Sequence, residues 1–177
     1  MLLFGHLGIT LGIFLGLRFL IPQLKSAINL KYLAIGAILP DLIDKPIGRI
    51  ILASTFENGR MIGHTLLVSI IIFLIGLYFY QKRKDNRWLS LSIGSFFHLV
   101  EDQIWAQPKT FFWPLFGLSF PKDSADYTGI EYLLIMLEKS FRPEFSQTFI
   151  TEILGIAIIG IFGIYWLKKK REEKNSS

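Results

Sequence analysis

Residues 62–80 read IGHTLLVSIIIFLIGLYFY, and this stretch decides the fold. Apart from His64 near its start it carries no ionisable group until the tyrosines at its end. It is about as long as the roughly 20 apolar residues a helix needs to cross a hydrocarbon core about 30 Å thick. In lipid every backbone N–H and C=O must be satisfied internally, so such a run reads as a membrane helix. The lone histidine at one end is then the feature that apolarity does not explain.

Working outward, Thr148 to Leu167 is a second unambiguous span, and Leu2 to Leu20 a third, with His6 inside it and Arg18 able to snorkel at its end. Tyr32 to Ile43 and Trp88 to about Asp102 are apolar but short. At 1.5 Å per residue they reach only about 18–23 Å, so they are expected to enter from one surface and stop short of the other. Glu131 to Lys139 is expected to be a short interfacial helix. The fold class is therefore all-α: a polytopic membrane helical bundle of about five transmembrane helices plus a short interfacial helix. Residues 1–167 form one transmembrane domain, and 168–177 a basic, disordered tail.

Composition agrees. The chain is 51% hydrophobic with mean hydropathy +0.45, too apolar for an ordinary soluble domain of this length. It has no cysteine, which excludes disulfides and thiolate metal sites and leaves His and carboxylate ligands open. The first apolar run lacks a basic leader and an A-x-A-like cleavage site, so it reads as a retained helix rather than a signal peptide. The net charge of +5 does not point to nucleic acid, because the basic residues cluster beside apolar runs. If the helices alternate, Arg18, Lys25, Lys31, the KRKDNR loop at Lys82 to Arg87 and the KKKREEK tail share one side. By the positive-inside rule that side is cytoplasmic. This predicts a plasma (inner) membrane protein with its N-terminus outside and its C-terminus in the cytoplasm.

The same alternation gathers the polar residues. His6 opens the first helix, Asp41 and Asp44 close the second, His64 opens the third, and His98 and Asp102 close the fourth. All six fall at one membrane face. His98 and Asp102 are four apart and share a helix face. Asp41 and Asp44 are three apart and share one if the turn stays helical past Pro40, which removes a donor and crowds the carbonyl of Gly36. Gly5, Gly36, Gly63 and Gly94 lie nearby, and small residues let membrane helices approach closely. Ionisable groups at membrane depth face a cavity, pair, or bind an ion.

Three imidazoles and three carboxylates suit zinc, with manganese or iron as alternatives. Six side chains exceed one tetrahedral ion, so one or two ions are open. Such a centre polarises phosphoryl oxygens and activates water, the needs of phosphoester hydrolysis. Asp41, Asp44 and Asp102 are then both metal ligands and candidate catalytic groups. The bland alternative pairs Asp41 and Asp44 with Lys45, Arg49 or Arg60 as salt bridges, and leaves each histidine in a local hydrogen bond. Lys45 and Arg60 are either substrate-phosphate contacts or solvated loop charges. Glu101, adjacent to Asp102, points elsewhere on a helix. The long loop from Gln103 to Tyr127 is rich in Trp, Phe and Pro; Trp105 and Trp113 in it are either interfacial anchors or substrate-facing groups of a lid.

The strings GAILPDLIDKP (36–46), GRMIGHTLL (59–67), FFHLVEDQIW (96–105) and WPLFG (113–117) resemble, in order and spacing, the YdjM-like family of membrane-bound metal-dependent hydrolases. In that pattern an early His precedes a PD-x-x-D element, a His-(Ser/Thr) element and a later His with an Asp four residues on. His6, Asp41, Asp44, His64, His98 and Asp102 occupy those positions. The likeness covers roughly residues 5 to 117. This chain has Asn58-Gly59-Arg60 and Thr65 where the family often has His-Arg-Gly and Ser. The resemblance implies a membrane hydrolase of phospholipid-like substrates.

The functional expectation is a metal-dependent hydrolase acting on a phospholipid or lipid-linked phosphoester at the outer membrane face, phospholipase- or lipid-phosphatase-like. Its partners would be membrane lipids, with no nucleic acid and an oligomeric state the sequence leaves open. The alternative is an ion- or proton-coupled transporter using the same His/Asp cluster.

Overall fold

In the computed structural model, which describes residues 1–122, 129–142 and 146–175, the chain is helical throughout, with no strand among the described residues. The helices are α1 (Leu3–Leu20), the single turn α2 (Leu24–Ala27), α3 (Leu30–Lys45), the short α4 (Ala53–Phe56), α5 (Leu66–Arg83), α6 (Arg87–Glu101), the short α7 (Pro108–Phe111), α8 (Gly129–Phe141) and α9 (Gln147–Asn175). Three of these, α1, α5 and the Gln147–Lys168 part of α9, are long and apolar enough to cross a membrane. The expectation of about five spans is met by three on this measure. Helices α3 and α6 have 16 and 15 residues, so they fall short by length.

Glycine contacts give the helix directions. A Cβ on Gly5 would meet Glu152, one on Gly8 would meet Gly155, and one on Gly12 would meet Ile158. Helices α1 and α9 therefore run side by side in the same direction, with Gly8 and Gly155 at the crossing. Gly36 abuts the carbonyl of Leu91, and Gly94 abuts that of Leu33. These contacts bring α3 and α6 backbone to backbone, as small residues permit, and the bonds Asn29 to Ser90 at one end and Ala37 to His98 at the other show that the two helices are also parallel. A tight turn through left-handed Lys84 (φ 53°) folds α6 back along α5. The ends of α3 and α6 and the starts of α1, α5 and α9 consequently share one end of the bundle.

Several boundaries have local causes. Asn29 caps α3, accepting hydrogen bonds from Lys31 and Tyr32. Thr65 caps α5 through Val68, which shortens the expected 62–80 helix at its start and turns Ile62–His64 into a single 3-10 turn. Pro40 does not break α3; the helix passes through it and continues as a π-helical turn, Pro46–Ile51. The tail expected to be disordered instead extends α9 to Asn175. Lys, Arg and Glu are good helix formers, and no Gly or Pro follows Leu167 to stop the helix.

The interior is divided. An apolar cluster of Phe14, Ile28 and Leu33, with Phe97 edge-on to Phe14 at 4.9 Å, fills the end opposite the site. Toward the other end many of the fully buried side chains are polar, among them His6, His64, His98, Asp44, Thr10 and Thr65. Meanwhile Ile70, Ile71, Phe73, Leu74 and Ile75 on α5 are exposed. Apolar outside and polar inside is the arrangement of a helix bundle solvated by lipid.

Candidate metal centre

Each histidine is fixed through its Nδ1 atom. His6, in the first turn and a half of α1, sets Nδ1 2.8 Å from Glu101 Oε2, and the other Glu101 oxygen accepts from Thr10 at 2.8 Å. His98, one turn before the end of α6, sets Nδ1 2.8 Å from the Ala37 carbonyl across the α3–α6 contact. His64 sets Nδ1 2.8 Å from Asp44 Oδ2. Asp44 also accepts three backbone N–H groups, from Met61 (2.6 Å), Gly63 (2.9 Å) and His64 (3.2 Å). That is why α3 must remain helical through Pro40. It is also why residue 63 is glycine: a Cβ there would lie 2.9 Å from the Pro40 carbonyl and 3.3 Å from Asp44.

An acceptor opposite Nδ1 places the ring proton there, leaving a lone pair on Nε2. The Nε2 atoms of His6 and His64 then flank His98. Those of His64 and His98 lie 3.2 Å apart, a contact for which two lone pairs offer no proton. His6 stacks on His98 with ring centroids 3.9 Å apart. Its Nε2 is buried without a hydrogen bond, although Asp102 Oδ1 lies at 3.3 Å. Asp41 Oδ1 stands 3.6 Å from His64 Nε2 and 3.7 Å from His98 Nε2, and Asp102 Oδ2 is 3.8 Å from His64 Nε2.

Facing lone pairs and an unpartnered buried nitrogen are repulsive unless an extra proton or a metal cation sits among them. Ligand atoms about 2.1 Å from one ion lie roughly 3.0–3.4 Å apart in octahedral or tetrahedral arrangement. The observed separations are that size or slightly wider, so the residues fit a transition metal. Two overlapping sets qualify among the described residues: His6, His98 and Asp102; and Asp41, His64 and His98. His98 is common to both.

Of the six residues expected as ligands, five bring an atom to one or both of these sets. Asp44 is placed behind His64, with both oxygens already engaged. Ligating histidines characteristically donate their other N–H to a carboxylate or carbonyl that orients the ring. Asp44, Glu101 and the Ala37 carbonyl have that position here.

The bordering charges are placed asymmetrically. Arg60 donates from Nε to Asp102 Oδ2 at 2.7 Å. Burial opposes the Arg60 charge, but the adjacent Asp102 carboxylate outweighs it and raises the guanidinium pKa. Arg60 lines a polar cleft of about 180 Å³ with Glu101, Asp102, Gln103 and Thr148, and a second of about 380 Å³ with Lys109 and Lys122. Lys45 pairs with Asp41 Oδ2, the oxygen turned from the imidazoles. Trp105 is half exposed. Trp113 stacks on Phe120 and donates to the Leu118 carbonyl. Neither tryptophan lines these clefts, and Leu115, Phe116 and Leu118 beside them are strongly exposed, as an interfacial anchor would be. Residues 123–128 of the same loop lie outside the described residues.

Two functional side chains escaped the sequence reading. Glu101 does leave α6 in a different direction from Asp102, yet the His6 ring lies between them and meets both. Glu152, buried in α9, accepts from Leu2 (2.7 Å), Phe4 (3.0 Å) and Gly5 (3.0 Å). It satisfies the first turn of α1, which has no cap of its own. The signal was available: a carboxylate in the apolar run TFITEILGIAII marks a site by default.

Comparison with known proteins gives one family. Residues 1–171, nearly the whole chain, match the YdjM inner membrane protein family, and the chain belongs to that family. No curated protein and no solved structure matches it.

Proposed function

We propose that this YdjM-family membrane protein holds one divalent transition metal and uses it to hydrolyse a phospholipid or lipid-linked phosphoester. The ligands are drawn from two sets that share His98, namely His6, His98 and Asp102, and Asp41, His64 and His98, and zinc is the first choice of metal. The observation that supports this is the meeting of three imidazole lone pairs and two carboxylates, with every Nδ1 held from behind. One ion is preferred over two because His98, shared by both ligand sets, has a single Nε2 lone pair.

Such an ion supplies Lewis-acid polarisation of a phosphoryl oxygen and acidifies water. The chain supplies the rest. Asp41 and Asp102 stand where a carboxylate can take a proton from attacking water. Arg60, with a planar fork suited to phosphate, borders the polar cleft over Asp102. In this reading α3 and α6 lie in the membrane beside the three longer helices, with the site at the outer face. The transporter alternative would place such groups near mid-membrane, whereas these stand at helix ends.

The test is elemental analysis of the purified protein together with phospholipid turnover. About one zinc, manganese or iron per chain is expected, with metal and turnover both lost in His98→Ala. A metal-free protein, or one whose turnover survives His98→Ala, refutes the proposal.

A further inference from the structure

Beside the centre lies a cleft of about 350 Å³ whose walls are almost wholly apolar and which Arg60 does not line. It is bounded by the start of α1 (Leu3, Phe4), the end of α3 (Leu42) and α8 (Met136, Leu137, Phe141). Only a few polar groups reach it. Glu152 has its oxygens committed to the α1 backbone. Tyr132 is held neutral, since burial pushes its phenol pKa up. The remaining pair, Asp41 with Lys45, stands at the inner end, and Asp41 presents its other oxygen to the imidazoles. The outer rim is apolar and open: Leu42 and Leu137 are each 54% exposed, and Phe141 is 47% exposed.

We propose that this cleft is a lateral slot for one acyl chain of a membrane phospholipid, with Lys45 at its inner end receiving the lipid's anionic group beside Asp41. Its substrate orientation rests on the hydrolase reading above. The slot's shape identifies the occupant. An apolar channel that opens through an apolar rim into a membrane, and ends at a cation beside a metal-binding carboxylate, matches an amphiphile taken from the bilayer. A water-soluble phosphoester would instead use the polar clefts at Arg60. In this arrangement the chain enters between α3 and α8, so the scissile group reaches the imidazoles while the headgroup side faces Arg60.

The test uses the full chain in detergent and in vesicles, with Leu42→Trp and Leu137→Trp to fill the slot from its exposed rim. Leu74→Trp, on the lipid-exposed face of α5, is the control. Turnover of a long-chain phosphatidylglycerol is compared with that of its dihexanoyl analogue. The slot predicts that the long-to-short ratio falls at least tenfold in both fillers and stays unchanged in the control, with metal content constant in all. An unchanged ratio in the fillers overturns the slot and leaves the hydrolase reading intact. If the wild type hydrolyses neither lipid, the hydrolase reading fails and native mass spectrometry decides the slot. One lipid retained by wild type and Leu74→Trp but lost from both fillers supports it; equal retention overturns it.

Discussion

Replacing Asp44 by Asn tests whether this residue orients the centre or ligates within it. Three of its four hydrogen bonds, from Met61 N, His64 N and His64 Nδ1, end on Oδ2, and only that from Gly63 N ends on Oδ1. The asparagine therefore keeps its carbonyl in the Oδ2 position and turns its amide N–H₂ toward Gly63, orphaning one buried donor. The three retained bonds lose their charge assistance, which reduces each by about 1 kcal/mol, and the orphaned N–H adds about 1–3 kcal/mol. Allowing for non-additivity, stability falls by about 3–5 kcal/mol, which for a chain of this size lowers Tm by roughly 6–20 °C. Because the His64 ring is held less firmly, metal affinity falls about 10- to 100-fold. Chelator competition and thermal unfolding in detergent read both quantities. Cobalt substitution separates the roles: the visible bands keep their positions in Asp44→Asn and shift in Asp41→Asn, where a ligand changes. Unchanged Tm and affinity, or a band shift in Asp44→Asn, would refute the assignment.

The remaining predictions address other parts of the bundle. In Glu101→Gln the amide oxygen still accepts from His6 Nδ1, so metal affinity should fall about tenfold; in Glu101→Ala it should fall by up to about 100-fold. Glu152→Ala leaves three N–H groups of the α1 start without an acceptor, and should lower stability by at least about 3 kcal/mol and speed amide exchange at Phe4 and Gly5. Gly94→Leu would put a Cβ 2.2 Å from the Leu33 carbonyl; it should part α3 from α6, draw His98 off Ala37 and abolish metal binding with all ligands intact. Because the chain has no cysteine, single-cysteine variants can map topology. Lys122→Cys should react with an impermeant maleimide on intact cells, and Lys84→Cys only after lysis; the reverse pattern would invert the orientation.

The helical membrane fold was legible because it follows from apolar run length, and the shared end of the polar residues followed from alternation alone. Helix lengths near Pro40 were less so: propensity says a proline ends a helix, but packing of α3 on α6 through Gly36 and Gly94 carries it through. The identities of five converging residues were readable, whereas their division of labour was not. Spacing shows that Asp41 and Asp44 share a face; it cannot show that the 61–64 turn brings three N–H groups onto Asp44. Adjacency in sequence sends Glu101 and Asp102 in different directions from α6, but an imidazole is wide enough to meet both, as His6 does.

That division follows from where the bundle has backbone donors to satisfy. A helix leaves its first N–H groups without internal partners, and in a membrane each unsatisfied group is expensive. Two histidines sit at such starts: His6 on α1 and His64 just before α5. In both places a carboxylate from another helix takes the spare donors, Glu152 from α9 and Asp44 from α3. A negative charge is also favoured at a helix start by the helix dipole. These two acids are thus occupied by the backbone and hold the start segments that carry the rings. Asp41 and Asp102 accept no backbone amide hydrogen bond among those described and pair with cations instead: Asp41 turns Oδ1 to the imidazoles and Oδ2 to Lys45, while Asp102 sets Oδ1 3.3 Å from both His6 Nε2 and the Met1 amino terminus and pairs through Oδ2 with Arg60. By this reasoning the carboxylates that bind backbone are structural, and those that bind cations face the chemistry. The same rule predicts that exchanging Asp41 or Asp102 for Asn removes function with little loss of stability, while the equivalent change at Asp44 or Glu152 chiefly destabilises the segments that present the histidines.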